Sequence, residues 1–190
     1  MFASAGSLSA IPQLDTQNGH NFGYMFNYCK TMCNEKEITF DVGKGQNFSF
    51  MFNECSQMKV APTMNTYNGR AFAYMFHNCS SLVTIPKLYL TNAVENYFDE
   101  NNQTTYGGFQ SMFDGCVSLE NITIQGTINY NIGFYSCSKL THESLISIIN
   151  ALNNYSSSTT KRYCQLGATN LAKLTDEEKA IATNKNWYLY

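Results

Sequence analysis

The seven cysteines and three histidines of this 190-residue chain are the side chains that could carry nucleophilic, redox or metal chemistry. A histidine beside a cysteine can activate it as a nucleophile, because the imidazole removes the thiol proton. The sequence His77-Asn78-Cys79 offers one such pair. No two cysteines are separated by two residues, so the spacing of a zinc ribbon or a thioredoxin-type motif is missing. Which chemistry is open to the cysteines depends on the elements that position them.

Most cysteines belong to an internal repeat. Met-Phe pairs begin at residues 1, 25, 51, 75 and 112, which are 24, 26, 24 and 37 residues apart. A cysteine follows the Phe by three residues in the later units, and an apolar residue follows three further on. The cysteines are Cys29, Cys55, Cys79, Cys116 and Cys137, and the apolar residues are Leu8, Met32, Met58, Leu82, Leu119 and Leu140. A repeat of this length indicates units that bury their apolar sides by stacking on one another.

The repeat predicts an α/β repeat solenoid made of leucine-rich-type coils of about 24 residues with one short strand each. The segment Leu82–Leu88 is the expected strand, and Tyr-Met-Phe-x-x-Cys is the expected turn on the opposite face. The repeated cysteines then lie in the core as small buried hydrophobic residues. We therefore expect no catalytic residue, no cofactor and no metal site; an enzyme using Cys79 and His77 is a third hypothesis.

The largest departure from the repeat is an insertion at about residues 89–108, which lengthens one unit from 24 to 37 residues. Aromatic side chains beside adaptable amides are typical of a recognition loop. The candidate binding residues are Tyr89, Tyr97, Phe98, Asp99, Asn101 and Tyr106. The alternative is a tolerated surface insertion whose aromatic side chains pack against the solenoid. The acids and amides at 99–102 lack the spacing and glycine of a calcium loop.

The repeat predicts two domains, with repeats over residues 1–140 and an α+β C-terminal cap over residues 141–190. The cap is expected to contain a helix, a strand, a helix and a strand. Thr141 is a good N-cap for the first helix. Thr175 and Glu178 have the spacing of a capping box for the second. No equivalent cap precedes the first unit, so we expect a fragment, or a chain that docks there onto a partner.

Composition excludes several partners. The net charge of -2 and the scattered basic residues argue against nucleic-acid binding. No apolar stretch approaches the length that crosses a bilayer, so membrane insertion is not expected. The sequence also begins without the basic and apolar regions of a secretory signal.

The segment Tyr74–Pro86, with Met-Phe-x-x-Cys-Ser-x-Leu recurring in register, resembles the BspA-like leucine-rich repeats of bacterial surface proteins. The resemblance covers about residues 1–140. Residues 166–187 look like the ending that such repeats carry in gut-bacterial and phage tail or baseplate-associated proteins, with Asn186 where the usual form has Gly. The resemblance implies an extracellular binding protein, virion-associated or on a bacterial cell surface, and it supplies no catalytic residues.

The leading hypothesis is a non-enzymatic binding or adhesion module that recognises a host-surface protein or glycan through the insertion. The alternative is a structural component that docks through its uncapped first repeat onto neighbouring subunits of a phage or cell-surface assembly. Weaker binding after changes at Tyr97 and Phe98 would favour the first hypothesis. Oligomerisation through residues 1–30 would favour the second.

Overall fold

The computed structural model of the chain describes residues 2–35, 38–100 and 103–190. Nine strands and three helices lie in the described part of the chain. They are β1 (Thr39–Phe40), β2 (Thr63–Met64), β3 (Thr84–Tyr89), β4 (Asn96–Asp99), β5 (Thr104–Gly107), β6 (Asn121–Gln125), β7 (Ile132–Gly133), α1 (His142–Ala151), β8 (Arg162–Gln165), α2 (Ala168–Leu171), α3 (Asp176–Asn184) and β9 (Trp187–Leu189).

The predicted α/β repeat solenoid with one short strand in each leucine-rich-type coil is wrong. The described strands form four separate sheets, β1–β2, β3–β6, β4–β5 and β7–β8–β9, instead of one sheet along the repeats. Strands β1, β2 and β7 are two residues long, and residues 2–35 contain no strand. Turns and segments without regular secondary structure make up nearly all of the described chain before β3.

Left-handed residues explain how the Met-Phe-x-x-Cys segments form turns, the structure that the sequence predicts for them. Around Phe26, Phe52, Phe76 and Phe113, the residues two before and two after the Phe have positive φ, as at Tyr24 (60°) and Tyr28 (61°). The same pair recurs at Phe50 (59°) and Glu54 (63°) in the next unit. A β-strand requires negative φ, and left-handed backbone is uncommon for residues other than glycine. The segment therefore forms a turn and not a strand.

Main-chain hydrogen bonds and ring stacking still join equivalent positions of successive units. The amide of Phe26 donates to the carbonyl of Met51 at 2.9 Å, and the amide of Phe52 donates to that of Met75 at 2.9 Å. The repeated phenylalanine rings form one stack, with centroids 4.7 to 6.1 Å apart. This core column consists of Phe2, Phe26, Phe52, Phe76, Phe113 and Phe134. Its rings from Phe26 onward are fully buried.

The repeated cysteines are buried and free, which confirms their interpretation as core residues. Each thiol also donates a hydrogen bond to the carbonyl of the core-column Phe in the preceding unit. The Sγ–O distance is 3.2 Å from Cys55 to Phe26 and 3.0 Å from Cys79 to Phe52. A buried carbonyl without a partner is unfavourable. The carbonyls of Phe26 and Phe52 already accept the amides of Cys29 and Cys55, each at 3.1 Å, so the thiol fills a small space and adds a second hydrogen bond to each carbonyl.

The chain after residue 140 contains all three helices. The side chain of Thr141 accepts a hydrogen bond from the amide of Ser144, which confirms the predicted N-cap of α1. Both hydrogen bonds of the capping box between Thr175 and Glu178 are present at the start of α3, so this prediction is also confirmed. Sheet β7–β8–β9 is parallel throughout. The division into two domains at residue 140 stays a prediction.

Candidate functional site

The insertion forms an antiparallel β-hairpin. Strand β4 pairs with β5 so that Tyr97 lies opposite Tyr106 and Phe98 lies opposite Thr105. Side chains alternate between the two faces of a strand. Asp99 is accordingly 1% exposed, whereas the neighbouring Phe98 is 51% exposed. The hairpin therefore has an anchored face and a face that presents an aromatic ring to solvent.

The anchored face rests on a second stack of aromatic rings, the outer column, made of Tyr24, Phe50 and Tyr74. Successive rings are stacked with centroids 4.6 Å apart and interplanar angles of 9° and 12°. All three residues have left-handed backbone. Each lies two positions before a phenylalanine of the core column, so one turn places one ring in each column.

Tyr106 attaches the hairpin to the outer column. Its ring meets Phe50 edge-on at 5.2 Å and Tyr74 at 6.4 Å. Its hydroxyl is 3.0 Å from the hydroxyl of Tyr24. Edge-to-face packing places positive ring edges against negative ring faces, which favours this arrangement. The side chain of Tyr106 thus contacts three successive units of the repeat and fixes the hairpin in position.

The base of the hairpin is attached at two further points. The amide of Val94 donates to the carbonyl of Arg70 at 2.9 Å. The carboxylate of Glu95 pairs with the guanidinium of Arg162 on β8 at 2.6 Å. The guanidinium also lies over the ring of Tyr130, 5.2 Å from its centroid. It also lies 5.5 Å from the ring centroid of Tyr155, so three contacts hold Arg162 in place, and the ion pair connects the hairpin to the C-terminal sheet.

Two cavities adjoin the hairpin. One has a volume of about 500 Å³ and is lined by Arg70, Tyr97, Phe98 and Asp99, among others. Burial, with a smaller effect of the Asp99 carboxylate, raises the pKa of Tyr97. The Tyr97 hydroxyl therefore remains protonated at neutral pH and can donate a hydrogen bond.

The other cavity, of about 420 Å³, lies between the base of the hairpin and the C-terminal sheet. Three tyrosine rings line it, and we call it the tyrosine cavity. Its lining includes Glu95 and Gly107 of the hairpin together with Tyr130, Asn131, Tyr163, Gln165, Tyr190 and Asp114.

The hairpin brings together Tyr97, Phe98, Asp99 and Tyr106 of the six predicted binding residues. Tyr89 lies on strand β3 instead, where its ring meets Tyr67 edge-on at 6.3 Å. The sixth predicted residue, Asn101, lies outside the described residues.

The cysteine–histidine pair has an arrangement that does not favour catalysis. Cys79 is fully buried, and burial raises the pKa of its thiol well above the ordinary value. A nucleophilic cysteine needs the opposite shift, because the thiolate is the reactive form. The imidazole Nδ1 of His77 forms its hydrogen bond with Asn53 Oδ1, at 2.9 Å. The Cys79 thiol donates to a carbonyl instead.

Neither a metal site nor a membrane span is apparent in the described ranges. Residues 2–35, 38–100 and 103–190 contain no group of three or more His, Cys, Asp or Glu side chains arranged to hold a metal ion. None of the helices that these residues form has the length and hydrophobicity needed to cross a bilayer.

Comparison with known proteins gives one match. A family model described as "Mycoplasma protein of unknown function, DUF285" matches residues 1–125. The chain belongs to the DUF285 family. No curated protein and no solved structure matches it significantly. The family match covers the hairpin and both aromatic columns up to Phe113, and it ends before the C-terminal sheet. The resemblance to BspA-like proteins stays a prediction.

Sequence reasoning missed the outer column and the tyrosine cavity. The outer column had a visible signal, since Tyr24, Phe50 and Tyr74 are aromatic residues at one repeated offset. The tyrosine cavity had no visible signal in the sequence. Its two sides are connected by the ion pair between Glu95 and Arg162, which are 67 residues apart in the chain.

Proposed function

We propose that this DUF285 chain is a non-enzymatic binding module whose hairpin recognises a protein or glycan on a cell surface. The observation that carries the proposal is the half-exposed ring of Phe98 on a hairpin that Tyr106 anchors. An exposed aromatic ring on a rigid support is the kind of residue that dominates binding energy at interfaces. Its support also lowers the entropy that binding would otherwise cost.

Two features support recognition over catalysis. The cavity beside Phe98 is lined by side chains that can hydrogen-bond to a ligand, such as the amide of Asn96 and the protonated hydroxyl of Tyr97. The buried thiols have raised pKa values and are unreactive. The setting that we propose is extracellular, as part of a phage tail or a bacterial surface protein, which is what the resemblance to BspA-like proteins implies.

The proposal is tested by attachment of the labelled protein to intact bacterial and epithelial cells and to a printed glycan array. We expect Phe98→Ala to weaken attachment by tenfold or more, since truncating a central aromatic residue costs about 2 kcal/mol or more. Tyr28→Ala is the matched control, because Tyr28 is an exposed aromatic residue on a different segment. Equal attachment of wild type and Phe98→Ala, with both proteins folded, would remove the hairpin from the binding surface.

A second candidate is a structural role through the first unit. Phe2, Leu8, Ile11 and Leu14 pack against the core but are only partly buried, unlike their counterparts in later units. Covering such side chains would favour association with a neighbouring subunit. Light scattering that shows concentration-dependent oligomers, lost in Leu8→Asp, would support this role. A monomer at every concentration would count against association of the chain with itself.

A further inference from the structure

We infer that the tyrosine cavity binds one ring of a neutral saccharide. The inference builds on the proposed recognition function and assigns a ligand class to a site on the other side of the hairpin base. It rests on the lining of the cavity, its charge and its size.

Aromatic rings and polar groups meet in this cavity. The rings of Tyr163 and Tyr190 are T-shaped, with centroids 6.1 Å apart, and both residues are more than 40% exposed. A pyranose ring presents weakly positive C–H bonds on its faces, and these pack well on the negative face of an aromatic ring. The hydroxyl groups around its edge need both donors and acceptors, which amides and carboxylates supply.

The polar side chains of the cavity are held in place with some hydrogen-bonding capacity left over. The amide of Tyr163 donates to Asn131 Oδ1 at 2.9 Å, and Gln165 Nε2 donates to the Tyr190 hydroxyl at 2.5 Å. Within the described part of the chain, Asn131 Nδ2, Gln165 Oε1 and the carboxylate of Asp114 have no such partner. One donor group and two acceptor groups therefore remain for a ligand, and hydrogen bonds already orient two of these side chains, Asn131 and Gln165.

The charge of the lining excludes acidic sugars and phosphates. The cavity is lined by two carboxylates, those of Glu95 and Asp114, and by no Lys or Arg. Arg162, the nearby cation, is already paired with Glu95 at 2.6 Å. An anion would therefore meet an uncompensated negative carboxylate at Asp114. A volume of about 420 Å³ lies toward the lower end of the usual range for small-molecule sites, about 300–1,000 Å³. It suits one or two sugar rings.

The inference is tested by saturation-transfer NMR on the full chain with free glucose, galactose, mannose and N-acetylglucosamine. N-acetylneuraminic acid serves as the anionic probe. We expect transfer to at least one neutral sugar and none to the acid. Tyr190→Ala and Asp114→Asn should each weaken binding by tenfold or more.

Tyr135→Ala is the matched control. Tyr135 is 71% exposed, and it does not line the cavity. Its replacement should change sugar binding by less than twofold. Because Tyr190→Ala could destabilise the sheet, the thermal midpoint of each variant is measured. Asp114→Asn leaves the sheet intact, so its sugar affinity tests the site independently.

Three results would overturn the inference: no transfer to any neutral sugar, preference for the acid, or sugar binding that survives both Tyr190→Ala and Asp114→Asn. Failure here is distinguishable from failure of the proposed function. If no sugar binds while Phe98→Ala still abolishes cell attachment, the cavity assignment is wrong and the hairpin proposal stands. If sugar binds while Phe98→Ala attaches to cells as well as the wild type does, the hairpin proposal is wrong and the cavity assignment stands.

Discussion

The core column and the outer column repeat with the same spacing along the chain, yet they differ in composition and in burial. The core column is phenylalanine in every unit, and its rings are buried from Phe26 onward. The outer column changes from Tyr24 to Phe50 to Tyr74, and Ser111 replaces the aromatic residue in the next unit. That unit is the one that follows the hairpin, whose Tyr106 covers the outer column.

This difference in composition and burial indicates that the core column holds the units together, whereas the outer column is a surface position whose residue varies. An interior position surrounded by other units tolerates little change in side-chain volume. A position at the surface can exchange tyrosine, phenylalanine or serine, because solvent or the hairpin fills the remaining space. The surface position therefore can acquire a function without loss of the fold. One turn supplies a ring to each column. Replacing a ring of one column while the other column stays intact therefore measures how much that column contributes to stability.

The largest expected effect comes from removing one ring of each column in turn. Phe52→Ala should lower the free energy of unfolding by about 3–5 kcal/mol, because it leaves a cavity among buried rings. Phe50→Ala should lower it by about 1–2 kcal/mol, because it removes mainly partly exposed stacking. Urea unfolding of both variants, followed by circular dichroism, gives the two values. Equal losses would mean that the outer column supports the fold as much as the core column does.

Periodicity predicted which side chains are buried more reliably than it predicted the backbone. The repeated Phe, Cys and Leu positions report only that one side of each unit faces the core, and a strand or a pair of turns can satisfy that requirement. Left-handed φ at Tyr24, Phe50 and Tyr74 gives turns where the sequence predicts them, but the strands expected between these turns are short or missing. Nothing in these residue types signals such backbone, since glycine is its usual marker. The predicted fold class was wrong because the described strands are few, short and divided among four sheets, although the buried cysteines were identified.

Local signals were read more accurately than distant ones. The N-cap at Thr141 and the capping box at Thr175 depend on residues within one helical turn, so the sequence shows them directly. The hairpin appeared only as an insertion, and its anchoring by Tyr106 depends on residues up to 82 positions away. The tyrosine cavity likewise requires the C-terminal sheet to meet the hairpin base. Such contacts are set by tertiary packing, which a single sequence does not display.

A second prediction compares the buried thiols of the core with the partly buried thiol of Cys33. Burial, with the charge of Asp114 adding to it, raises the pKa of Cys137 from 9.0 to about 12. The folded state therefore keeps a proton that the unfolded state loses above about pH 9, so this stability is complete below pH 9 and is lost as pH rises toward 12. Each pH unit in that window costs about 1.4 kcal/mol for this thiol.

Urea midpoints measured at pH 8 and pH 10 test this dependence. The wild type should lose stability between the two values, and Cys137→Ala should lose less, since it removes one of the titrating thiols. Cys33→Ala is the control, because Cys33 is only partly buried and should leave the slope unchanged. The core thiols should also resist iodoacetamide in the folded protein while Cys33 reacts. If the urea midpoint falls equally between pH 8 and pH 10 in all three proteins, ionisation of the Cys137 thiol does not cause the loss of stability at alkaline pH.

The smallest expected effect concerns the single hydrogen bond between Tyr106 and Tyr24, which joins the hairpin to the outer column at 3.0 Å. Tyr106→Phe keeps the ring packing and removes only the hydroxyl, so the hairpin should open more readily by about 1 kcal/mol. Amide exchange in β4 and β5 should then be about fivefold faster, with exchange around Phe52 unchanged. The double variant with Tyr24→Phe isolates the coupling of the two hydroxyls from any other contact that Tyr24 makes. If the coupling is zero, the rings alone hold the hairpin. Phe98 would then owe its fixed position to packing on the outer column, and Tyr106→Ala would be the variant that releases it.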